Sequence, residues 1–490
     1  MSRFAGLAGL LTAVVLAGLL AVPASADITR GVAVTANQRV AARTATGTPV
    51  TLTAGPEVTS YPSFTVLGTD TARFTISAGT SNSQLVSGTI AFGDGTSDAI
   101  GNHLTWNHLY AAPGTYTATL TETDQLGQTS TASTKAVVGD EYGPAAPAFD
   151  FSGTVPAHGV LRLSAARLNA VFFASRGAYL NVTVSGAKQA GAVFAYHDGG
   201  ARPADAAIRF GAGRSASNTV LVLPTADFYN ASGAPVRLTV YTYALEFTCN
   251  IQNGAAEGDT YVPEGPVRLL VPTGIAGGRR LTIRVAGTHG VPAGAHEVVL
   301  DVTASGAKSA GHLTAYPDAL PEPGFHVADW ATGQAVTGLV VVPLADGKVV
   351  LHNAGAGSAV FTVDIVGYFD YFGAASVFLP VSARVLAVRI GPGRAVRLPV
   401  AGGNGLPANG ISAADVNLTA SGASRGGTIV GWADGVRRPV ASTLSYSAGS
   451  AIAGAAMIPV GADGALDLDN AGPTAVTLTV DLTGVYYRYP

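Results

Sequence analysis

Leu300-Asp301-Val302-Thr303, followed by Ser305-Gly306-Ala307 and Gly311, decides how this chain is read, because the block occurs three times. Leu180-Asn181-Val182-Thr183 leads into Ser185-Gly186-Ala187 and Gly191. Val416-Asn417-Leu418-Thr419 leads into Ser421-Gly422-Ala423 and Gly427. The blocks start 120 and then 116 residues apart, so the C-terminal part reads as three copies of one domain, at 148–258, 259–374 and 375–490. Repetition on this scale suits a scaffold or a binding surface better than one asymmetric catalytic pocket.

Outside the block the copies agree in finer detail. Val285-Ala286-Gly287 corresponds to Val400-Ala401-Gly402, and Gly290-Val291-Pro292-Ala293 to Gly405-Leu406-Pro407-Ala408. Pro343 precedes Asp346-Gly347, Leu351 and Asn353; Pro459 precedes Asp463-Gly464, Leu468 and Asn470. Both runs read as hairpins turned by Asp-Gly. Copy 1 lacks the Asp-Gly turn and reaches Asn230 sooner after Pro224, so it has diverged most. Each copy ends on an alternating strand. Val476, Leu478, Val480 and Leu482 alternate with Thr477, Thr479, Asp481 and Thr483, and Phe361, Val363 and Ile365 with Thr362 and Asp364. Period two predicts a strand of an antiparallel sheet with one apolar and one wet face. No apolar stripe at helical period interrupts this pattern. About eight short strands per copy predict a β-sandwich or jelly roll.

A different unit precedes the copies, over residues 53–139. Phe92-Gly93-Asp94-Gly95-Thr96 is followed by His108-Leu109-Tyr110, Pro113-Gly114-Thr115-Tyr116 and Thr123-Asp124. Tyr116, Ala118 and Leu120 alternate with threonines, another half-buried strand. These motifs resemble the PKD domain, which implies a small immunoglobulin-like sandwich serving as a spacer or adhesion module. Ile90 departs from the aromatic usual near this turn, with Trp106 the expected substitute in the core. The copies themselves resemble Val/Gly-rich repeats of secreted actinobacterial proteins, through the stretch from Leu300 to Pro317, the Val340–Asn353 run and the Val363–Phe369 ending. That resemblance implies a cell-exterior role and no agreed activity.

Composition fits this organisation. Arg3, an apolar run from Leu7 to Val22 and Ala24-Ser25-Ala26 read as a cleavable export signal over 1–26, with 27–52 as an N-terminal extension. The expected product is secreted and extracellular, with no membrane association after cleavage. Charged residues make up 12% of the chain, about half the usual ~25%, so the polar surface is largely Thr, Ser, Asn and Gly. A net charge of −3 provides no field for nucleic acid. Cys249 is the only cysteine, so the domains stand without internal disulfides.

Catalytic patterns in the chain are fragmentary. Ser185-Gly186-Ala187-Lys188 and Ser305-Gly306-Ala307-Lys308 match S-x-x-K, yet the third copy has Ser424 in place of the lysine and no partner motif follows. His296-Glu297 lacks the second histidine of H-E-x-x-H. The nine histidines do not recur between copies, so no metal or other cofactor is expected. Asp364 with Asp481 and Asp346 with Asp463 read as exposed strand and turn acids, and Asp467 with Asp469 as a weak calcium pair. The best candidates are aromatic. Tyr196, Tyr316 and Trp432 occupy equivalent positions, each followed two residues later by Asp198, Asp318 or Asp434. A ring can cover an apolar sugar face while the acid accepts hydroxyl hydrogen bonds; packing at a strand end is the alternative.

The expectation is an all-β, secreted, non-catalytic modular protein that binds polysaccharide or a cell-surface protein. Two alternatives stay open: a hydrolase with its site in copy 1, and a purely structural extracellular assembly.

Overall fold

A computed structural model describes residues 38–43, 49–54, 58–66, 71–80, 85–99, 105–124, 129–163, 175–197, 200–222, 226–247, 259–370 and 376–488. The export signal, Cys249 and Asp198 fall outside them, as does the side chain of Trp106. Every named element is a β-strand, and the described residues contain no helix long and apolar enough to cross a membrane. The chain divides into two compact units at Val138 and Gly139.

The first unit comprises β1 (Gln38–Arg43), β2 (Pro49–Ala54), β3 (Val58–Val66), β4 (Thr71–Thr80), β5 (Leu85–Ala91), β6 (Ser97–Ala99), β7 (Thr105–Leu109), β8 (Gly114–Asp124) and β9 (Thr129–Val138). Strands β3-β4-β7 form one sheet and β6-β5-β8-β9 another, with β1-β2 a separate ribbon. Ile90, Phe92, Tyr110, Ala118, Leu120, Ala136 and Val138 make the core, so the alternation along β8 points Ala118 and Leu120 inward as expected.

The second unit holds the three copies. Copy 1 contains β10 (Glu141–Val155), β11 (Val160–Leu163), β12 (Ser175–Ser185), β13 (Gly191–His197), β14 (Ile208–Phe210), β15 (Ala216–Val222), β16 (Ala226–Asn230) and β17 (Val236–Phe247). Copy 2 contains β18 (Thr260–Ile275), β19 (Arg280–Arg284), β20 (Glu297–Ser305), β21 (Gly311–Pro317), β22 (Ala328–Trp330), β23 (Val336–Pro343), β24 (Lys348–Asn353) and β25 (Ala359–Asp370). Copy 3 contains β26 (Ser376–Ile390), β27 (Arg394–Pro399), β28 (Ile411–Ser421), β29 (Gly427–Ala433), β30 (Leu444–Tyr446), β31 (Ile452–Pro459), β32 (Ala465–Asn470) and β33 (Val476–Arg488). In each, the first, eighth, third and sixth strands form one antiparallel sheet, and the second, seventh, fourth and fifth the other. That order is a jelly roll.

The repeated block has a structural reason. Gly186, Gly306 and Gly422 adopt φ of +67°, +56° and +68°, a region that disfavours a side chain. The following alanine is buried, and its carbonyl accepts a hydrogen bond from Gly213, Gly333 or Gly449 in the respective copy, at 2.7, 2.9 and 2.9 Å. The S-x-x-K lysines therefore follow a tight turn. The Asp-Gly runs are turns of another kind than expected. Gly347 and Gly464 take positive φ, but each turn joins strands of opposite sheets. They are corners of the roll rather than hairpins.

The buried asparagine in each copy locks the same corner. Asn353 Nδ2 donates to the carbonyls of Ile275 (2.9 Å) and Gly357 (3.1 Å), and its Oδ1 accepts from the Gly355 amide (2.9 Å). Asn470 does likewise with Ile390, Thr474 and Gly472, and Asn230 with Pro156, Ala234 and Ser232. A side-chain amide here satisfies backbone groups that no ladder reaches.

The copies close into a ring. The sixth strand of each lies against the fifth strand of the next: β15 on β22, β23 on β30, and β31 on β14. The three sixth strands β15, β23 and β31 also touch one another, which marks a pseudo-threefold axis. At the centre lies a core drawn from all three copies, including Tyr179, Val299, Leu339, Val341, Phe369, Phe378, Met457 and Tyr486. The third strands therefore bury both faces. Leu300 and Val302 enter the core of copy 2, while Val299 faces the centre. The polar faces of the last strands are accordingly drier than alternation implies. Asp364 is fully buried, with Arg268 Nε 2.5 Å from its Oδ1, and Arg268 reaches on to the Val440 carbonyl of copy 3 at 2.7 Å. Asp481 is half-buried and pairs with Arg384, which also binds Asp205 of copy 1 at 2.8 Å.

Candidate functional site

The aromatic candidates sit on the fourth strands, on the outward face of the outer sheet, and the loop after each fourth strand folds back over that face. One loop residue pins it in every copy, by different chemistry. Arg202 places its guanidinium 4.6 Å from the centroid of Tyr229 and 5.2 Å from that of Phe194. The equivalent Glu322 lies 2.5 Å from His352 Nδ1, accepts from Thr314 at 2.7 Å and pairs with Arg280 at 2.6 Å. Arg438 pairs with Asp469 at 2.6 Å. Partial burial raises the Glu322 carboxyl, but these hydrogen bonds outweigh it and hold the group down at about 2.

That loop buries two of the three rings. Tyr316 and Trp432 are each 5% exposed. Tyr316 Oη accepts from Arg280 Nε at 2.9 Å. Neither presents a face for a sugar to stack on, and so the expected threefold aromatic platform does not form. Of the paired acids, Asp318 is exposed beside Lys348, and Asp434 bonds Arg397. Arg397 also takes Asp463, and Arg438 takes Asp469, so one acid of the pair weighed for calcium is already matched by an arginine.

Tyr196 is different. It is half-buried and lines a 560 Å³ cleft at the seam between copies 1 and 3. Asp205, Asn218 and Thr219 line it from copy 1, and Asp415, Asn417 and Asp481 from copy 3. Most of these groups also hold the seam. Asn218 Oδ1 accepts from the Ala455 amide (2.8 Å), and Asn417 Nδ2 donates to the Ala206 carbonyl (3.2 Å). Asn417 Oδ1 is buried with no hydrogen-bond partner among the described residues. At the floor, Tyr179 Oη donates to Asp415 Oδ2 at 2.5 Å and lies 2.8 Å from Tyr486 Oη. Burial pushes the Asp415 carboxyl up to about 7, although the Tyr179 hydrogen bond pulls the other way.

Sequence reasoning missed a second cluster. Three of the nine histidines, far apart in sequence, meet on the outer sheet of copy 2. His312 and His326 stack with centroids 3.5 Å apart, and His352 lies beside them on Glu322. Burial and the neighbouring His326 push His312 down to about 4. Cross-strand register brings them together, and a count of recurring histidines could not reveal it.

In the first unit, Asp94 organises the turn after β5. Its Oδ1 accepts from the Thr96 amide (3.0 Å) and hydroxyl (2.6 Å), and its Oδ2 lies 2.7 Å from His108 Nε2. His108 stacks on Phe92 at 3.9 Å, and Tyr110 Oη donates to the Phe92 carbonyl at 2.9 Å. Gly93, at φ +89°, packs so closely that a Cβ would lie 2.6 Å from the Thr117 carbonyl oxygen. The family model of the PKD domain matches residues 53–138. Those residues are a PKD domain. Its motif residues build one turn and one aromatic core.

Solved structures similar to parts of the chain include the PKD1 domain of Vibrio anguillarum Epp and that of the Vibrio cholerae metalloprotease PrtV. Each is 23% identical with a TM-score of 0.15 and covers 16% of this chain; 92% and 95% of the two domains are covered. A structure described as carbohydrate-binding modules from the β-sandwich superfamily is 14% identical over 39% of this chain and 95% of that one, with a TM-score of 0.17. No curated protein matches the sequence.

Proposed function

We propose that this is a secreted, non-catalytic modular protein in which a PKD spacer accompanies a fused jelly-roll ring that binds extracellular or cell-wall polysaccharide. The cleft beside Tyr196 is the observation that carries the reading. Its volume of 560 Å³ falls within the ~300–1,000 Å³ of small-ligand sites. It offers one aromatic ring, amides and carboxylates, the donor and acceptor mixture that sugar hydroxyls need. The cleft joins unlike copies, and Tyr316 and Trp432 are buried, so avidity from three equal sites is not part of this reading. Co-sedimentation with peptidoglycan, chitin and cellulose tests it. Retention on at least one polymer, weakened by Tyr196→Ala, is expected; absence of retention on all three removes the polysaccharide reading.

One observation favours a second reading. A carboxyl that titrates near 7 at the floor of a cleft is suited to general acid catalysis. Its carboxylate is engaged by Tyr179 and only 3% of Asp415 is exposed, which supports a structural role instead. Release of reducing sugar from a retained polymer, abolished by Asp415→Asn, would favour hydrolysis over binding.

A further inference from the structure

We propose that His312, His326 and Asp329 form a binding site for one divalent transition-metal ion of the zinc class. His312 and Asp329 are directly opposed in the β21–β22 ladder, and His326 precedes Asp329 by three residues. One candidate ligand atom from each residue lies within 4.8 Å of the other two. The two imidazoles stack with their planes 10° apart. Asp329 Oδ1 holds His326 Nδ1 at 2.7 Å, while Oδ2 is buried and has no hydrogen-bond partner among the described residues. The Asp329 side chain is 7% exposed, so that oxygen is an orphaned acceptor in a polar niche. A cation would satisfy it. Ligand atoms on a tetrahedral ion stand about 3.4 Å apart, so small side-chain rotations close the set. Two imidazoles and one carboxylate suit zinc, cobalt or nickel better than calcium or magnesium.

The loop is anchored independently of any ion. The His326 amide donates to Thr183 Oγ1 of copy 1 at 3.0 Å, and Phe325, Val327 and Trp330 are buried around it. His312 and His326 are only partly covered, which leaves a coordination position for water or an external oxygen. The set belongs to copy 2 alone. Copy 1 has Ala192, Ala206 and Arg209 at the equivalent places, and copy 3 has Thr428, Ser442 and Ser445. The fold thus tolerates other residues there, and the donors answer no folding need that the copies share.

Titration calorimetry of untagged, chelator-stripped mature protein with ZnCl2 tests the assignment. Saturable binding of one ion is expected, weakened at least tenfold by His312→Thr and by Asp329→Ser. Both substitutions install the copy 3 residue, so the variants should keep the wild-type melting temperature without metal. His289→Ala serves as the control and should bind as wild type. Should a variant fail to fold, the Co2+-loaded wild type still decides: intense d–d bands of a low-coordinate nitrogen-bearing site are expected. No saturable binding, equal affinity in the folded variants, or a hexaaqua-like cobalt spectrum would overturn the site.

Discussion

Asp415→Asn should flatten the acid side of the stability profile of the jelly-roll ring. In the folded protein Asp415 titrates at about 7, against an ordinary value of 3.8. Burial causes the rise, and the Tyr179 hydroxyl offsets part of it. The sign follows from proton counting: between pH 4 and 7 the folded state keeps a proton that the unfolded chain has released. Stability conferred by the neutral carboxyl is therefore complete below pH 4 and is lost as pH rises towards 7. A gap of about three units is worth about 4 kcal/mol, at about 1.4 kcal/mol per unit. Asparagine keeps the shape and still accepts from Tyr179, but never ionises. Urea unfolding of both proteins at pH 4.5, 5.5, 6.5 and 7.5 measures the difference. Trp330 and Trp432 both lie in the ring, so their fluorescence follows its transition. Subtracting the variant from the wild type cancels every other titration. The variant should be about 1 kcal/mol the more stable at pH 4.5 and about 4 kcal/mol the more stable at pH 7.5. Parallel profiles would show that the carboxyl is not held in its neutral form, and the account of the seam would fail with it.

Asn353→Ala removes two buried hydrogen bonds and one partly buried one from a corner and should cost about 3 kcal/mol, read as a fall in the urea midpoint; a cost under about 1 kcal/mol would contradict the clamp. In the PKD domain, burial works to raise Asp94, but hydrogen bonds from Thr96 and His108 prevail and bring it to about 2. Its contribution is present above pH 4 and lost as pH falls towards 2, so Asp94→Asn should cost about 1 kcal/mol at neutral pH, after allowance for solvent screening, and almost nothing near pH 2. Calorimetric scans at the two pH values check this. Tyr196→Ala should weaken polysaccharide retention about tenfold with an unchanged melting temperature, whereas Tyr316→Ala should cost about 3 kcal/mol of stability and leave retention alone. Equal effects of the two on retention would show that burial does not separate them.

Most of the architecture was legible because it is local. Period-two alternation marked the strands, and the Ser-Gly-Ala turn returned at fixed spacing because the same positive φ is needed three times. Asn353 and Asn470 were visible as a repeat, though nothing in the sequence says that their amides face inward. What could not be read depends on how the copies meet. Asp364 alternates with apolar residues like a wet surface acid, and only the ring buries it. Tyr316 and Trp432 look like exposed rings until a loop pinned by Glu322 or Arg438 covers them. The pin varies as Arg202 over Tyr229, Glu322 on His352 and Arg438 on Asp469, so what persists is a pairing and not a residue type.

Fusion into one chain explains why the seams carry chemistry that the copies lack. Tyr179, Val299 and Asp415 are equivalent positions around one pseudo-threefold centre. In a homotrimer, aspartate there would place three carboxylates together in a dry core, each opposing ionisation of the others. Covalent linkage removes that constraint, because each copy mutates alone. One tyrosine, one valine and one aspartate then fit, and the lone acid is satisfied by the tyrosine of another copy. The same freedom permits a cleft at the copy 1 and copy 3 seam with no requirement for two matching ones. It also permits His312, His326 and Asp329 to gather in copy 2 while copies 1 and 3 keep small or basic residues. A substitution at a seam should therefore alter one junction, whereas one in the Ser-Gly-Ala turn acts within its own copy.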